Sequence, residues 1–145
     1  LQSLAQMEIY QPELTSSGTD PSLGVFGSVT GHYYRSGALI VLFVDVQWGQ
    51  GPSQGSGFYR LSLPPEWPAA SFMSTSGMPF GAARLRDDSA ADEVVWHASP
   101  QSDGERFSIR SHTSFNAQQM GAGTPWIWAN GDRIRTGPII YLTEA

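Results

Sequence analysis

The chain of 145 residues contains no cysteine, and its eight basic residues include no lysine. Without cysteine there is no disulfide, no thiolate metal site and no cysteine nucleophile. The basic residues are Arg35, Arg60, Arg84, Arg86, Arg106, Arg110, Arg133 and Arg135. A GC-rich genome accounts for that bias through codon usage; a demand for bidentate guanidinium contacts is the alternative. Charge is sparse too, at 14% of residues, against about 25% in a usual soluble domain. A surface this poor in charge suggests that part of it is covered by a partner, most simply another copy. The formal net charge of −5 runs against nucleic acid, whose binding rests on clustered positive charge. It also disfavours anionic lipid. The longest apolar run, residues 38–44, falls far short of the roughly 20 residues that span a bilayer. Helical patterning is confined to residues 1–7, where Leu1, Leu4 and Ala5 share i, i+3, i+4 spacing. One or two turns of helix do not stand alone in water. Residues 1–7 therefore read as a linker or the end of a helical stalk, and the opening at Leu1 as a cut from a longer chain.

What the chain does have is turn chemistry. Sixteen glycines and ten prolines separate short apolar runs, the punctuation of an all-β domain. Strands are expected at 8–14, 28–35, 38–48, 58–63, 81–86, 93–98, 106–113 and 134–142. Pro12 marks an edge or a strand end. The stretch 31–63 reads as an antiparallel meander: an aromatic strand, a Ser36-Gly37 turn, a long apolar strand, a glycine-rich flexible loop and an alternating strand. In its central strand Ile40, Leu42, Val44, Val46 and Trp48 share one face, while Leu39, Val41 and Phe43 begin the other. Apolarity on both faces for half its length predicts central burial, between a core and something else. The fold class expected is a single antiparallel β-sandwich, jelly-roll-like, over residues 8–145.

The chemistry-bearing residues give no catalytic set. Asp87 and Asp88 with Asp92 and Glu93 form the densest acidic cluster, a weak metal candidate without the glycine-ordered ligand spacing of a calcium loop. His32, His97 and His112 could share a metal only if three strands converged. Gly55-Ser56-Gly57 lacks the nucleophile-elbow form, and no spacing selects a carboxylate pair that includes Asp45. The domain is thus expected not to be an enzyme and to need no cofactor. Sugar binding commonly uses an exposed aromatic with nearby polar side chains. Trp67, Phe72 and Phe80 lie in the irregular stretch 67–80, and Trp48 and Trp126 border loops. These five are candidates for glycan binding or for a subunit interface, where aromatics, Met and Arg are enriched; the interface is the preferred reading for 73–80. Gly31 and Gly37 suit tight or left-handed backbone. Asn130-Gly131 suits a hairpin turn that Asp132 can brace. Trp126 and Trp128 are expected to alternate on one strand face, with Trp128 in the core.

Several segments, in order, resemble a domain family of bacteriophage virion proteins, especially minor tail and fibre-like proteins of actinobacterial phages. They are YQPELTSSGTDP at 10–21, Leu23-Gly24, Thr30-Gly31-His32-Tyr33 with Arg35 and Gly37, and Trp48-Gly49. Next come Gly55-Ser56-Gly57, Leu61-Ser62-Leu63-Pro64, Gly81-Ala82-Ala83, and Arg86-Asp87-Asp88-Ser89. The ending PWIWANGD at 125–132, followed by residues 141–145, is the most specific block. Gly137-Pro138 departs from the pattern, where an uninterrupted last strand would run, and predicts a bulge or shifted edge. The resemblance implies a tail- or fibre-associated virion domain acting in host-surface attachment, to cell-wall glycan, or in virion assembly. It also implies a homo-oligomer, a trimer by expectation, with other virion proteins as partners. A capsid decoration or head-fibre domain is the alternative, as is a carbohydrate-binding accessory module of an enzyme.

Overall fold

The computed structural model describes residues 6–111 and 118–144. Residues 1–5 of the helical segment expected at 1–7, His112 and the end of the 106–113 strand lie outside the described residues. Ten strands and one helical turn follow in chain order: β1 (Met7–Tyr10), β2 (Leu14–Ser16), β3 (Ser28–Ser36), β4 (Leu39–Gln47), β5 (Tyr59–Ser62), α1 (Ser71–Ser74), β6 (Gly81–Asp87), β7 (Asp92–Pro100), β8 (Arg106–Arg110), β9 (Arg133–Thr136) and β10 (Ile139–Leu142). Met7 belongs to β1, so the β-domain starts one residue before the expected boundary. The turn α1 lies in a stretch read as irregular; it is one turn long, too short for any apolar period to announce it.

The fold is all-β and antiparallel, as the spacing of turns and apolar runs predicts. The strands belong to one hydrogen-bonded sheet, ordered β1-β3-β4-β9-β6-β7-β8-β5-β2, with β10 also on β4. This sheet curls around the core, so opposite walls of the core are two parts of one sheet. Its end strands, β1 and β2, are separated in sequence only by residues 11–13. Pro12 sits in that break, where a missing N–H costs no ladder bond. A short connection between the two ends of a nine-strand path forces those ends together. The Tyr10 hydroxyl spans the resulting seam to the Ser62 carbonyl (2.9 Å), beside the Ser62 N–H to Glu13 carbonyl (3.1 Å) and Glu13 N–H to Ser62 Oγ (2.8 Å) bonds that extend the β2–β5 pairing.

The expected break at Gly137-Pro138 is present. Arg135 pairs with Asp45 and Ile139 with Leu42, so four steps on the β9–β10 side face three on β4. That extra residue is a bulge. The Val44 N–H opposite it donates to Thr136 Oγ1 (2.8 Å), and Gly137 N–H turns to the Ala82 carbonyl of β6 (2.8 Å). Elsewhere the loop 49–57, expected to be flexible, is braced by bridges from Ser53 to Ser22 and from Gln50 to Val25. Gly49 and Gly55 let those backbones meet, since a Cβ at either would strike a carbonyl oxygen.

The core takes the predicted face of β4: Ile40, Leu42, Val44, Val46 and Trp48 are all buried. The other face is left uncovered by the described residues of this chain. Leu39 and Phe43 are 39% and 37% exposed, and Val41 is half-buried. Cross-strand registry extends this outer face in lanes. Met7, Tyr34, Val41 and Ile140 lie side by side over four strands, and Ile9, His32 and Phe43 over three.

Candidate functional site

The seam makes the principal cleft, of about 540 Å³. One wall is the curled end of the sheet: Gln6, Glu8, Ile9 and Tyr10 from β1 and the residue before it, with Tyr33 and Arg35 from β3. Alternation explains the β3 contribution, because Gly31, Tyr33 and Arg35 point to the inner side and Arg35 reaches the rim. Gly31 matters here: a Cβ would collide with the Tyr10 ring and with Pro12. Its absence lets Tyr10 lie across β3, its ring edge-on to Tyr33 at 5.9 Å. Burial raises the Tyr10 phenol well above its ordinary pKa, and the Tyr141 and Tyr33 phenols add to the effect. The hydroxyl therefore stays a donor across the seam.

The other wall is Pro64, Pro65, Glu66 and Trp67. It is anchored on both sides: Leu63 N–H donates to the Glu105 carbonyl (2.8 Å) and Ala69 N–H to the Gly104 carbonyl (2.8 Å). Trp67 N–H closes the turn onto Pro64 (3.0 Å), and the Tyr141 hydroxyl donates to the Trp67 carbonyl (2.8 Å). The Arg35 guanidinium lies 3.8 Å from the centroid of the Trp67 ring. A second cleft, about 420 Å³, shares Pro64 and Pro65 and is lined further by Gln11, Glu13, Ser62, Pro68, Glu105 and Arg106. The two together follow the seam. Aromatic surface, a cation held over an indole, and exposed carboxylates at Glu8 and Glu66 suit a ligand that presents hydroxyls and acceptors.

Of the aromatics singled out in sequence, only Trp67 lines this cleft. Trp48 is fully buried, stacked on Trp128 with centroids 5.4 Å apart and planes 13° off parallel, so it cannot meet a glycan or a subunit. A strand-end tryptophan was drawn inward because β4 keeps its inner parity to Trp48. Trp126 is half-buried, 5.5 Å from Trp128. Phe80 packs on Phe107 and Tyr141. Phe72 is 64% exposed on α1, away from the lining of either cleft.

The stretch 125–128 is not a strand, which corrects the expected alternation of Trp126 and Trp128. Trp128 is core nonetheless: its Nε1–H donates to the Gly121 carbonyl (3.1 Å), and the Gln54 side chain pairs with its backbone N–H and C=O (2.8 and 2.6 Å). Asn130-Gly131 turns the chain into β9 rather than tipping a hairpin, with Gly131 at φ +92°. Asp132 is completely buried and accepts the N–H groups of Ala129 (2.8 Å) and Asp88 (2.9 Å). Burial raises its carboxyl pKa against the opposing pull of those two bonds. Gly37 holds the β3–β4 turn at φ +62°.

The acidic cluster serves its own turn. Asp87 accepts from Ser89 Oγ (2.9 Å), Asp92 from the Glu93 N–H (2.9 Å), and Asp88 lies 3.7 Å from Arg86. Among the described residues no group of three or more His, Asp or Glu is placed to hold a metal ion. His32 and His97 lie on β3 and β7, with three strands between them in the sheet. Asp45 is matched on the outer face with Arg133 (3.1 Å) and Arg135 (3.6 Å). Ser56 Oγ accepts the Thr19 N–H (2.8 Å) as a loop brace.

Sequence reasoning missed Glu8, Tyr10, Tyr33, Arg35 and Glu66 as cleft residues. The alternation Gly31, Tyr33, Arg35 was a usable signal for one wall; nothing local told that residues 64–67 would face it. No helix among the described residues is long and apolar enough to cross a membrane. No protein-family model, no curated protein and no solved structure matches the chain.

Proposed function

We propose that this is a non-enzymatic adhesion domain that binds carbohydrate in the seam cleft. The observation that carries it is the cleft itself, where aromatic rings, Arg35 and two exposed carboxylates converge on anchored walls. Such a site can cover the apolar side of a sugar and bond its hydroxyls. The lining residues include no serine, threonine or histidine to serve as nucleophile or base. A glycosidase acid is made by burying one carboxyl, whereas Glu8 and Glu66 both stand exposed. The setting we assign is a tail- or fibre-associated phage virion protein acting on host cell-wall glycan, on the strength of the ordered sequence blocks. Repetition of the domain on a particle would turn weak single contacts into avidity. The test is binding of the labelled domain to purified actinobacterial cell-wall glycan, compared with Glu8→Arg/Glu66→Arg. Binding that the double variant leaves unchanged would remove the cleft from the reading.

A second reading, assembly with further copies of the chain, is favoured by the outer face. Met7, Ile9, Val41, Phe43, Ile140 and Leu142 expose apolar surface over adjacent strands. A contiguous patch of this kind marks an interaction surface, and a homo-oligomer, trimeric in a fibre, would cover it.

A further inference from the structure

The seam cleft contains a cation, Arg35, that no carboxylate of the described residues approaches within 4.0 Å. The Arg35 side chain makes no ion pair or hydrogen bond among the described residues, although Glu8 and Glu66 line the same cleft. Of the other seven arginines five stand within 4.0 Å of a carboxylate and Arg60 donates to the Ser16 carbonyl, while Arg110, outside the cleft, has no such partner among the described residues. What holds Arg35 is the indole of Trp67, itself half-buried against the core and tied through its carbonyl to Tyr141. A guanidinium resting on an aromatic ring keeps its N–H edge free, and that planar edge matches a carboxylate in two parallel bonds. The stack has a second consequence. With Arg35 over it, the Trp67 ring is not an open platform for a sugar, so apolar contact falls to the half-buried Tyr10 ring and the exposed Pro65.

Resting on the cleft as a carbohydrate site, we propose that its ligand is a saccharide bearing a carboxylate. Arg35 holds that carboxylate from its seat on Trp67, while Glu8 and Glu66 accept sugar hydroxyls. The two glutamates also select. They repel a small free anion, and they disfavour a doubly charged phosphate ester more than a single carboxylate. A polyol with one negative group satisfies donor and acceptors together.

The experiment is a calorimetric titration of the domain with a panel of uronic-acid and muramic-acid oligosaccharides, each beside its carboxyl-reduced counterpart. At least one acidic member should bind about tenfold tighter than its reduced partner, with a preference that shrinks at high salt. Arg35→Gln should abolish the preference and Arg35→Lys should lose most of it, because an ammonium offers no fork. Arg35 is an exposed strand-end side chain, so both variants should keep the wild-type melting transition. Equal binding of acidic and reduced members, or a preference that survives in Arg35→Gln, would overturn the carboxylate assignment and leave the cleft as a neutral-sugar site. Binding of no member on either side would overturn the cleft reading itself, and this assignment with it.

Discussion

Tyr10 donates its hydroxyl to the carbonyl of Ser62 at 2.9 Å, across fifty-two positions of sequence. The bond joins the first strand of the sheet to one near its other end, where no β-ladder closes the curl. It belongs both to the fold and to the cleft, since the Tyr10 ring lines the cleft while its hydroxyl spans the seam.

Tyr10→Phe should cost about 1 kcal/mol, the worth of one such bond, with some loss of affinity in the cleft. A urea titration reads the first and a binding isotherm the second. An unchanged midpoint would show that this bond adds nothing to the closure of the seam.

Gly31→Ala places a methyl where the Tyr10 ring and Pro12 now sit. Destabilisation of about 1–3 kcal/mol is expected from such overpacking. The effect should shrink in the Tyr10→Ala background, because the obstructing ring is gone. Equal losses in both backgrounds would place the conflict elsewhere.

The buried tyrosines should make the domain sensitive to alkali. Tyr59 donates to the Gln54 carbonyl at 2.7 Å, and burial pushes its phenol up to about 12; Tyr10 and Tyr141 are raised further. An unfolded tyrosine ionises at about 10. Between these values the unfolded chain releases protons that the fold retains. Stability is then fully present below about pH 10 and falls as pH rises toward 12. Urea midpoints measured across this interval should decline, and Tyr59→Phe should remove about one proton from the slope. A flat profile would contradict the burial of these phenols.

Asp132→Ala strands the N–H groups of Ala129 and Asp88 in a buried turn and should cost about 3 kcal/mol. Asp132→Asn keeps one acceptor and should cost less. The raised carboxyl pKa adds a pH signature. The fold holds this proton more tightly than the unfolded chain, so the wild type gives up stability as pH rises through the carboxylate range. The gap between wild type and Asp132→Asn should therefore narrow from acid toward neutral pH in paired denaturation curves.

Val41→Glu/Ile140→Glu places two charges on the outer face without touching the core. Because the two positions are direct cross-strand partners, their like charges should cost the fold about 1 kcal/mol, which a urea titration reads separately. If that face joins copies of the chain, light scattering at micromolar concentration should report an oligomer for the wild type and a monomer for the double variant. A wild-type monomer would remove self-association as the role of this face.

Local patterns decided where strands begin and stop, because alternation, missing N–H groups and left-handed turns act over a few residues. The inner face from Ile40 to Trp48, the turn at Gly37, the interruption at Pro12 and the bulge at Gly137-Pro138 are all legible on that scale. The same alternation carries Trp48 to the inner face, whereas Trp67 lies outside any strand and no local period fixes its side. Only the tertiary structure stacked one on Trp128 in the core and set the other under Arg35 at the rim. The cleft joins residues 6–10, 33–35 and 64–67. What brings them together is the curl of a whole sheet whose ends are tied by three residues, a long-range closure to which every strand pairing contributes and which no short stretch of sequence contains.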